Sequence, residues 1–263
     1  MKRILLTNDD SFRCSGFYPL LKELQKDFAV TSVAPDSERS WIGKSITAKT
    51  DIKVKKVNLN GTSIFACSGT PADCSQLGIF ELSKKKPDLV VSGINIGANT
   101  GHGRILSSGT IGAAMEGAIE GIKAVASSIH IPSEMKQNTD LFSKKNYHLF
   151  TNAAKITAKI TKIAASEPFP AYVDIISINI PLKATLNNEF QITKPHRVSY
   201  GKLFQKKGNA FIPSHPKLIM EKAGRGTDLT ALAEEKVSIT PISLDLSREE
   251  SFKKVNQLFK KNW

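Results

Sequence analysis

The apolar and polar positions of this chain follow two alternating rhythms. Arg3-Ile4-Leu5-Leu6-Thr7 is a near-continuous apolar run, the pattern of a strand buried on both faces of a parallel sheet. Phe17, Leu20, Leu21, Leu24 and Phe28 then fall at i, i+3, i+4 and i+7 spacing, which predicts an amphipathic helix over 17–28 before 29–34 returns to strand. The opening is therefore β-α-β. Residues 52–59 and 63–66 predict a hairpin on the sheet edge, turning at Asn60-Gly61, because Asn-Gly supplies the positive φ angles of a tight turn. Helices are predicted over 73–83, 110–122 and 149–165, and strands over 87–91, 124–129 and 173–180, the last ended by Pro181. Such alternation defines an α/β fold with an open, mostly parallel sheet.

Beyond Leu182 the rhythm changes. Residues 183–235 carry few helical signals and are rich in Lys, Gly, Pro and Asn, before a strand-like stretch over 237–246 and a helix near 248–259. The expected organisation is a catalytic core over 1–182, an extended arm over 183–235, and a strand and helix over 236–263 that return to the core or to a partner subunit. An irregular segment of this length buries too little apolar surface alone, so exchange between identical subunits is expected to order it. Phe204, Phe211, Ile212, Leu218, Ile219 and Met220 would be its apolar anchors.

Composition narrows the function classes. The chain has 263 residues, 40% of them hydrophobic, and Lys+Arg 37 against Asp+Glu 24 leaves a net charge of +13. That charge attracts phosphorylated molecules. Only seven of the 37 are Arg, and the lysine pairs lack interleaved aromatics, which disfavours nucleic-acid binding. Cys14, Cys67 and Cys74 fit neither a disulfide framework nor a zinc site, so a reducing cytoplasm is the expected home. No apolar run approaches the roughly 20 residues of a membrane span, and the first residues read as a strand, not a signal peptide.

In open α/β sheets ligands bind beyond the carboxyl ends of the strands. The predicted strand ends carry Asn8-Asp9-Asp10, Pro35-Asp36-Ser37-Glu38-Arg39-Ser40 and the run from Ser92 through Asn95 to Asn99, with Ser108-Gly109-Thr110 soon after. Adjacent carboxylates repel unless a cation or a shared proton relieves them, so Asp9-Asp10 points to a divalent metal; the bland alternative is a helix N-cap. Oxygen donors without His or Cys favour Mg²⁺, Mn²⁺ or Ca²⁺ over Zn²⁺. Ser108-Gly109-Thr110 precedes a predicted helix and would offer hydroxyls and free N–H groups to a phosphate, or simply cap that helix. Gly93, Gly97, Gly101 and Gly103 would loosen the loop around Asn95 and Asn99. The first turn lacks the G-x-G-x-x-G of dinucleotide binding, and there is no P-loop.

These motifs resemble the SurE survival-protein family of metal-dependent nucleotidases. The likeness rests on Leu5 to Asp10, Ala34-Pro35-Asp36 with Ser40, Gly69-Thr70-Pro71-Ala72-Asp73-Cys74, Ser92-Gly93-Ile94-Asn95 with Gly97 and Asn99, and Ser108-Gly109-Thr110 leading to Ala114-Met115-Glu116-Gly117. Gly226-Thr227-Asp228, the run from Val237 to Ile242, and Asp245 extend it. The resemblance implies a three-layer α/β/α sandwich with a Rossmann-like core and an extended C-terminal oligomerisation segment. It implies one divalent ion per subunit on Asp9, Asp10, Ser40 and Asn95, with Asn99, Ser108, Gly109 and Thr110 around the phosphate. The implied activity is hydrolysis of nucleoside 5′- and 3′-monophosphates, extending to short polyphosphate, by a homodimer or homotetramer in which Asp9 or Asp10 is the base. The competing reading is a nonenzymatic nucleotide or RNA binder using the same cradle. Two departures stand out: Ser11 occupies a position where the family usually has Gly, which calls for a different backbone angle there, and Glu235-Lys236 replaces Gly-Tyr.

Overall fold

The computed structural model describes residues 1–214, 219–220, 224–247 and 249–262. Five parallel strands form the centre of a nine-stranded sheet: β1 (Arg3–Thr7), β2 (Ala29–Pro35), β5 (Leu89–Ile96), β6 (Ala124–His130) and β7 (Ile175–Pro181). The hairpin of β3 (Val54–Leu59) and β4 (Thr62–Cys67) closes one edge, turning at Asn60 (φ 49°) and Gly61 (φ 85°) as its sequence demanded. At the other edge β13 (Val237–Ile242) runs antiparallel to β7, and β8 (Phe190–Ile192) lies parallel beside β13.

The near-continuous apolar strands split their side chains between two cores. Ile4, Leu6, Leu89 and Val91 pack on one face under α1 (Phe17–Leu24) and α6 (Thr151–Ser166). Leu5 and Val90 face the opposite layer of α2 (Pro71–Leu77) and α4 (Gly109–Ile119). This is the expected three-layer α/β/α sandwich, because period-two alternation in a doubly apolar strand feeds both faces. No helix among the described residues is long and apolar enough to cross a membrane.

Several boundaries differ from the sequence expectation. The first helix ends at Leu24, and Phe28 enters the core from the turn that follows. The run after Val91, expected as a turn, continues as strand to Ile96, because β6 runs alongside it to pair Asn95 with Ser128 and Ile96 with Ile129. The register slips between Ser92 and Asn95, where Gly93 (φ 141°) sits against β6. The glycine-rich loop beyond contains a helix, α3 (Gly101–Ser107). Tertiary hydrogen bonds hold it: Gly101 N–H donates to Asp228 Oδ2 at 2.6 Å and His102 N–H to the His196 carbonyl at 3.0 Å. Weak local propensity is overridden there.

The stretch 183–235 is less irregular than expected. Besides β8 it holds β9 (Val198–Ser199) paired with β12 (Ile219–Met220), a hairpin of β10 (Phe204–Lys207) and β11 (Ala210–Pro213), and α7 (Asp228–Ala233). Phe204, Phe211 and Ile212 are exposed on that hairpin. Leu218 and the side chains of Ile219 and Met220 lie outside the described residues. The chain also holds α5 (Ser133–Asn138), not anticipated, α8 (Glu249–Asn262), a π-helical turn over Gly78–Leu82 and a 3-10 helix over Lys144–Phe150.

Candidate active site

A cleft of about 750 Å³ opens beyond the carboxyl ends of the parallel strands, where unpaired strand termini leave polar groups free to face a ligand. Asp9, Asp10, Ser40, Asn95, Asn99 and Ser108 line it together. Asp9 and Asp10 follow β1 after Asn8, and because α1 is capped at Gly16 neither carboxylate caps that helix.

Both aspartates are almost fully buried, at 4% and 5% exposure. Asp9 Oδ1 accepts from the Thr110 hydroxyl, and Asp10 Oδ2 accepts from Ile96 N–H at 2.6 Å. Burial raises the Asp9 carboxyl to about 6 and lifts Asp10 well above the ordinary range, with repulsion from Asp9 as the second cause for Asp10 and Glu38 adding to both. Among the described residues no ion pair relieves either group. The charge of Lys136 offsets only part of the rise at Asp10, and two desolvated carboxylates held side by side with no direct ion pair are poised for a cation.

Ser40 lies on a loop that is fastened to the site at several points. Arg39 N–H donates to the Asp9 carbonyl at 2.8 Å and Gly43 N–H to the Ser107 carbonyl at 2.9 Å. Lys44 pairs with buried Glu116 of α4 at 2.6 Å, and Thr47 bonds Asp73, which completes the capping box of Thr70 on α2. The Ser40 hydroxyl itself donates to Glu38 Oε1 at 2.6 Å. Asn95 Nδ2 donates to the Gly97 carbonyl, which orients the amide and leaves its oxygen as a donor atom for a cation. Two carboxylates, a hydroxyl and an amide oxygen make an all-oxygen set that fits a hard divalent ion. No group of three or more His, Cys, Asp or Glu converges anywhere among the described residues.

The expected phosphate cradle divides into two parts. Ser108 caps α4, its Oγ accepting from Ile111 N–H at 3.1 Å, and also faces the cleft. Thr110 is fully buried behind Asp9 and serves as that carboxylate's hydrogen-bond donor. Gly109 lets the helix end approach so closely that a Cβ there would lie 2.8 Å from Asp9 Cβ. Asn99 is held by Asn179 Oδ1 through its N–H at 2.7 Å and donates its amide to Ser128 at 2.9 Å.

Two cations escaped the sequence reading. Arg104 of α3 and Lys136 of α5 both line the cleft. Lys136 Nζ donates to the Ile96 carbonyl at 2.7 Å, the same residue whose N–H holds Asp10. Burial lowers both basic groups, and the two together with burial lower His130 at the end of β6. In a chain with 30 lysines, nothing in the spacing marks Lys136.

At both departures from the family pattern the backbone is left-handed: Ser11 has φ 75° and Glu235 has φ 55°. Asn8 Nδ2 donates to the Ser11 carbonyl at 2.8 Å, and Glu235 follows the last turn of α7 with its N–H bonded to the Leu232 carbonyl. Each side chain tolerates a conformation that costs roughly 1–2 kcal/mol for residues other than glycine.

Fold and cleft together define a Rossmann-like α/β/α protein with a buried carboxylate pair in a cleft at the strand ends. Residues 4–202 match the family model of the survival protein SurE. A protein of Methanocaldococcus jannaschii called 5′-nucleotidase SurE is 38% identical over 253 residues, 92% of each chain. Its namesake in Archaeoglobus fulgidus is 36% identical, over 95% of this chain and 94% of that one. The crystal structure of the SurE protein from Aquifex aeolicus superposes with a TM-score of 0.78 at 31% identity, covering 98% of this chain and 99% of the other. The chain belongs to the SurE family.

Proposed function

We propose that this protein is a divalent-metal-dependent 5′-nucleotidase, a phosphomonoesterase that releases phosphate from nucleoside monophosphates. The observation that carries the reading is the buried Asp9-Asp10 pair, joined by no direct ion pair, in a cleft that Arg104 and Lys136 also line. The curated relatives named above bear the same activity in their names.

Asp9, Asp10, Ser40 and Asn95 would hold the ion, which supplies Lewis-acid polarisation of the phosphoryl group when bound. Ser108 and the amino end of α4 receive phosphate oxygens, with Asn99 beside them. Gly109 and Thr110 contribute through the close approach of that helix and the fixing of Asp9. Arg104 and Lys136 balance the charge that develops on the phosphoryl oxygens. Asp10 Oδ1 carries no hydrogen bond among the described residues, Ile96 N–H being bonded to Oδ2. Either carboxylate is the candidate to accept the proton of an attacking water.

Phosphate release from a panel of nucleoside monophosphates, measured with Mn²⁺, Mg²⁺, Ca²⁺ or EDTA, tests this function. Release that needs a divalent ion supports it; nucleotide binding without turnover would instead fit a nonenzymatic binder. In the same assay Ser40→Ala is expected to lose activity several-fold and to recover part of it as metal is raised, because water replaces a neutral ligand. A loss that no metal concentration restores would remove Ser40 from the ligand set.

The arm over 183–235 is inferred to join two copies of the chain, the core over 1–182 carrying the site and 236–263 returning to it or to the partner. The exposed apolar side chains of the β10–β11 hairpin, and of Phe252, Val255 and Phe259 on α8, support this assembly. Light scattering is expected to give a dimer or larger, and a monodisperse monomer at micromolar concentration would refute it.

A further inference from the structure

Trp41 sits one residue from the candidate ligand Ser40, lines the same cleft as Asp9 and Asp10, and is 58% exposed. Its backbone is left-handed, at φ 63°. A bulky residue in that region is strained, and burial of the ring is not what offsets the strain here. The ring is nevertheless held in place. Tyr200 packs against it at 5.1 Å between centroids and 51° between planes, and the Tyr200 hydroxyl shares a 2.6 Å hydrogen bond with Ser107 Oγ, beside Ser108. Tyr200 in turn packs so closely over Gly103 that a Cβ there would meet its Cζ at 2.9 Å. An exposed aromatic ring, strained into position and braced by Tyr200 on a polar cleft with room for more than a phosphate, is built to meet a flat apolar group.

We infer that Trp41 is the platform on which the nucleobase of the substrate stacks, so that it selects nucleotides over phosphomonoesters that lack a base. This rests on the nucleotidase reading above and adds the part of the substrate that the carboxylates and cations do not address. The polar wall recognises phosphate whatever it is attached to, whereas every nucleobase offers a π-face to an indole ring. Stacking of this kind tolerates all the bases, so the preference it creates is for nucleotides as a class. Phe142, 45% exposed on the same cleft, is the competing aromatic.

The test compares adenosine 5′-monophosphate with ribose 5-phosphate under one metal. Trp41→Ala is expected to lower kcat/KM for the nucleotide about tenfold while leaving ribose 5-phosphate within about twofold, with Trp41→Phe in between. An unchanged ratio of the two substrates, or a ratio that collapses in Phe142→Ala and not in Trp41→Ala, overturns the assignment. Failure of the wild-type protein to release phosphate from either compound overturns the nucleotidase reading instead. Binding gives an independent arm: with the second tryptophan removed by Trp263→Phe, adenosine is expected to quench the emission of Trp41. Absence of quenching at millimolar adenosine would sink the platform whatever the turnover.

Discussion

Asp9→Asn and Asp10→Asn are each expected to abolish metal-dependent phosphate release, a loss of about a thousandfold or more, while the far-ultraviolet circular dichroism stays that of the wild type. An amide oxygen can still accept from Thr110 at position 9 or from Ile96 N–H at position 10, so the hydrogen bonds that seat each side chain survive. What disappears is the negative charge that holds a cation and the oxygen that takes a proton. In metal-free protein each substitution also removes one of two desolvated charges, so the thermal midpoint is expected to stay level or rise. Removing a structural ion-pair partner would instead lower it. Near-wild-type turnover by either variant at saturating metal would strip that carboxylate of its role.

Gly93→Ala is expected to destabilise the protein by about 3 kcal/mol or more, enough to consume a large part of a typical domain's stability. Gly93 has φ 141° at the slip in register of β5, and an added Cβ would lie 2.4 Å from the Ser127 carbonyl oxygen of β6. Backbone blocks backbone there, so no side chain can move aside. Gly61→Ala is the control: its φ is 85° but nothing lies within 4 Å of the added Cβ, so only the conformational cost, about 1 kcal/mol, applies. Urea unfolding of the three proteins measures the difference, and equal losses at both positions would show that the close approach to β6 carries no weight. Asn95 sits two residues beyond Gly93 on the same slipped segment, so the fraction of Gly93→Ala that folds is expected to bind metal more weakly.

Most of the sheet was legible because its signal is local. The apolar runs of β1 and β6, the i, i+4 spacing of α1 and the Asn-Gly turn each need only neighbouring residues to express their preference. The helix predicted from Asp73 was legible for the same reason, and Thr70 and Asp73 form its capping box. Where the reading failed, a distant partner decided. α3 forms in a glycine-rich stretch because Asp228 and His196, more than ninety residues away, accept its first N–H groups. β5 extends past Val91 because β6 offers it a partner, and no local pattern carries that information.

The site divides along the same line. Sequence alone determined which strand ends carry oxygen donors, and the adjacency of Asp9 and Asp10 is covalent, so their mutual repulsion and their appetite for a cation follow from the order of residues. Only the tertiary structure decided how deeply they are buried, that Thr110 holds Asp9 instead of facing the cleft, and that Arg104 and Lys136 line that cleft with them. It also decided that Trp41 shows its ring to that cleft. The physical reason is that desolvation and charge balance are sums over everything packed around a group, whichever part of the chain it comes from, whereas strand, turn and cap preferences are settled within a few residues.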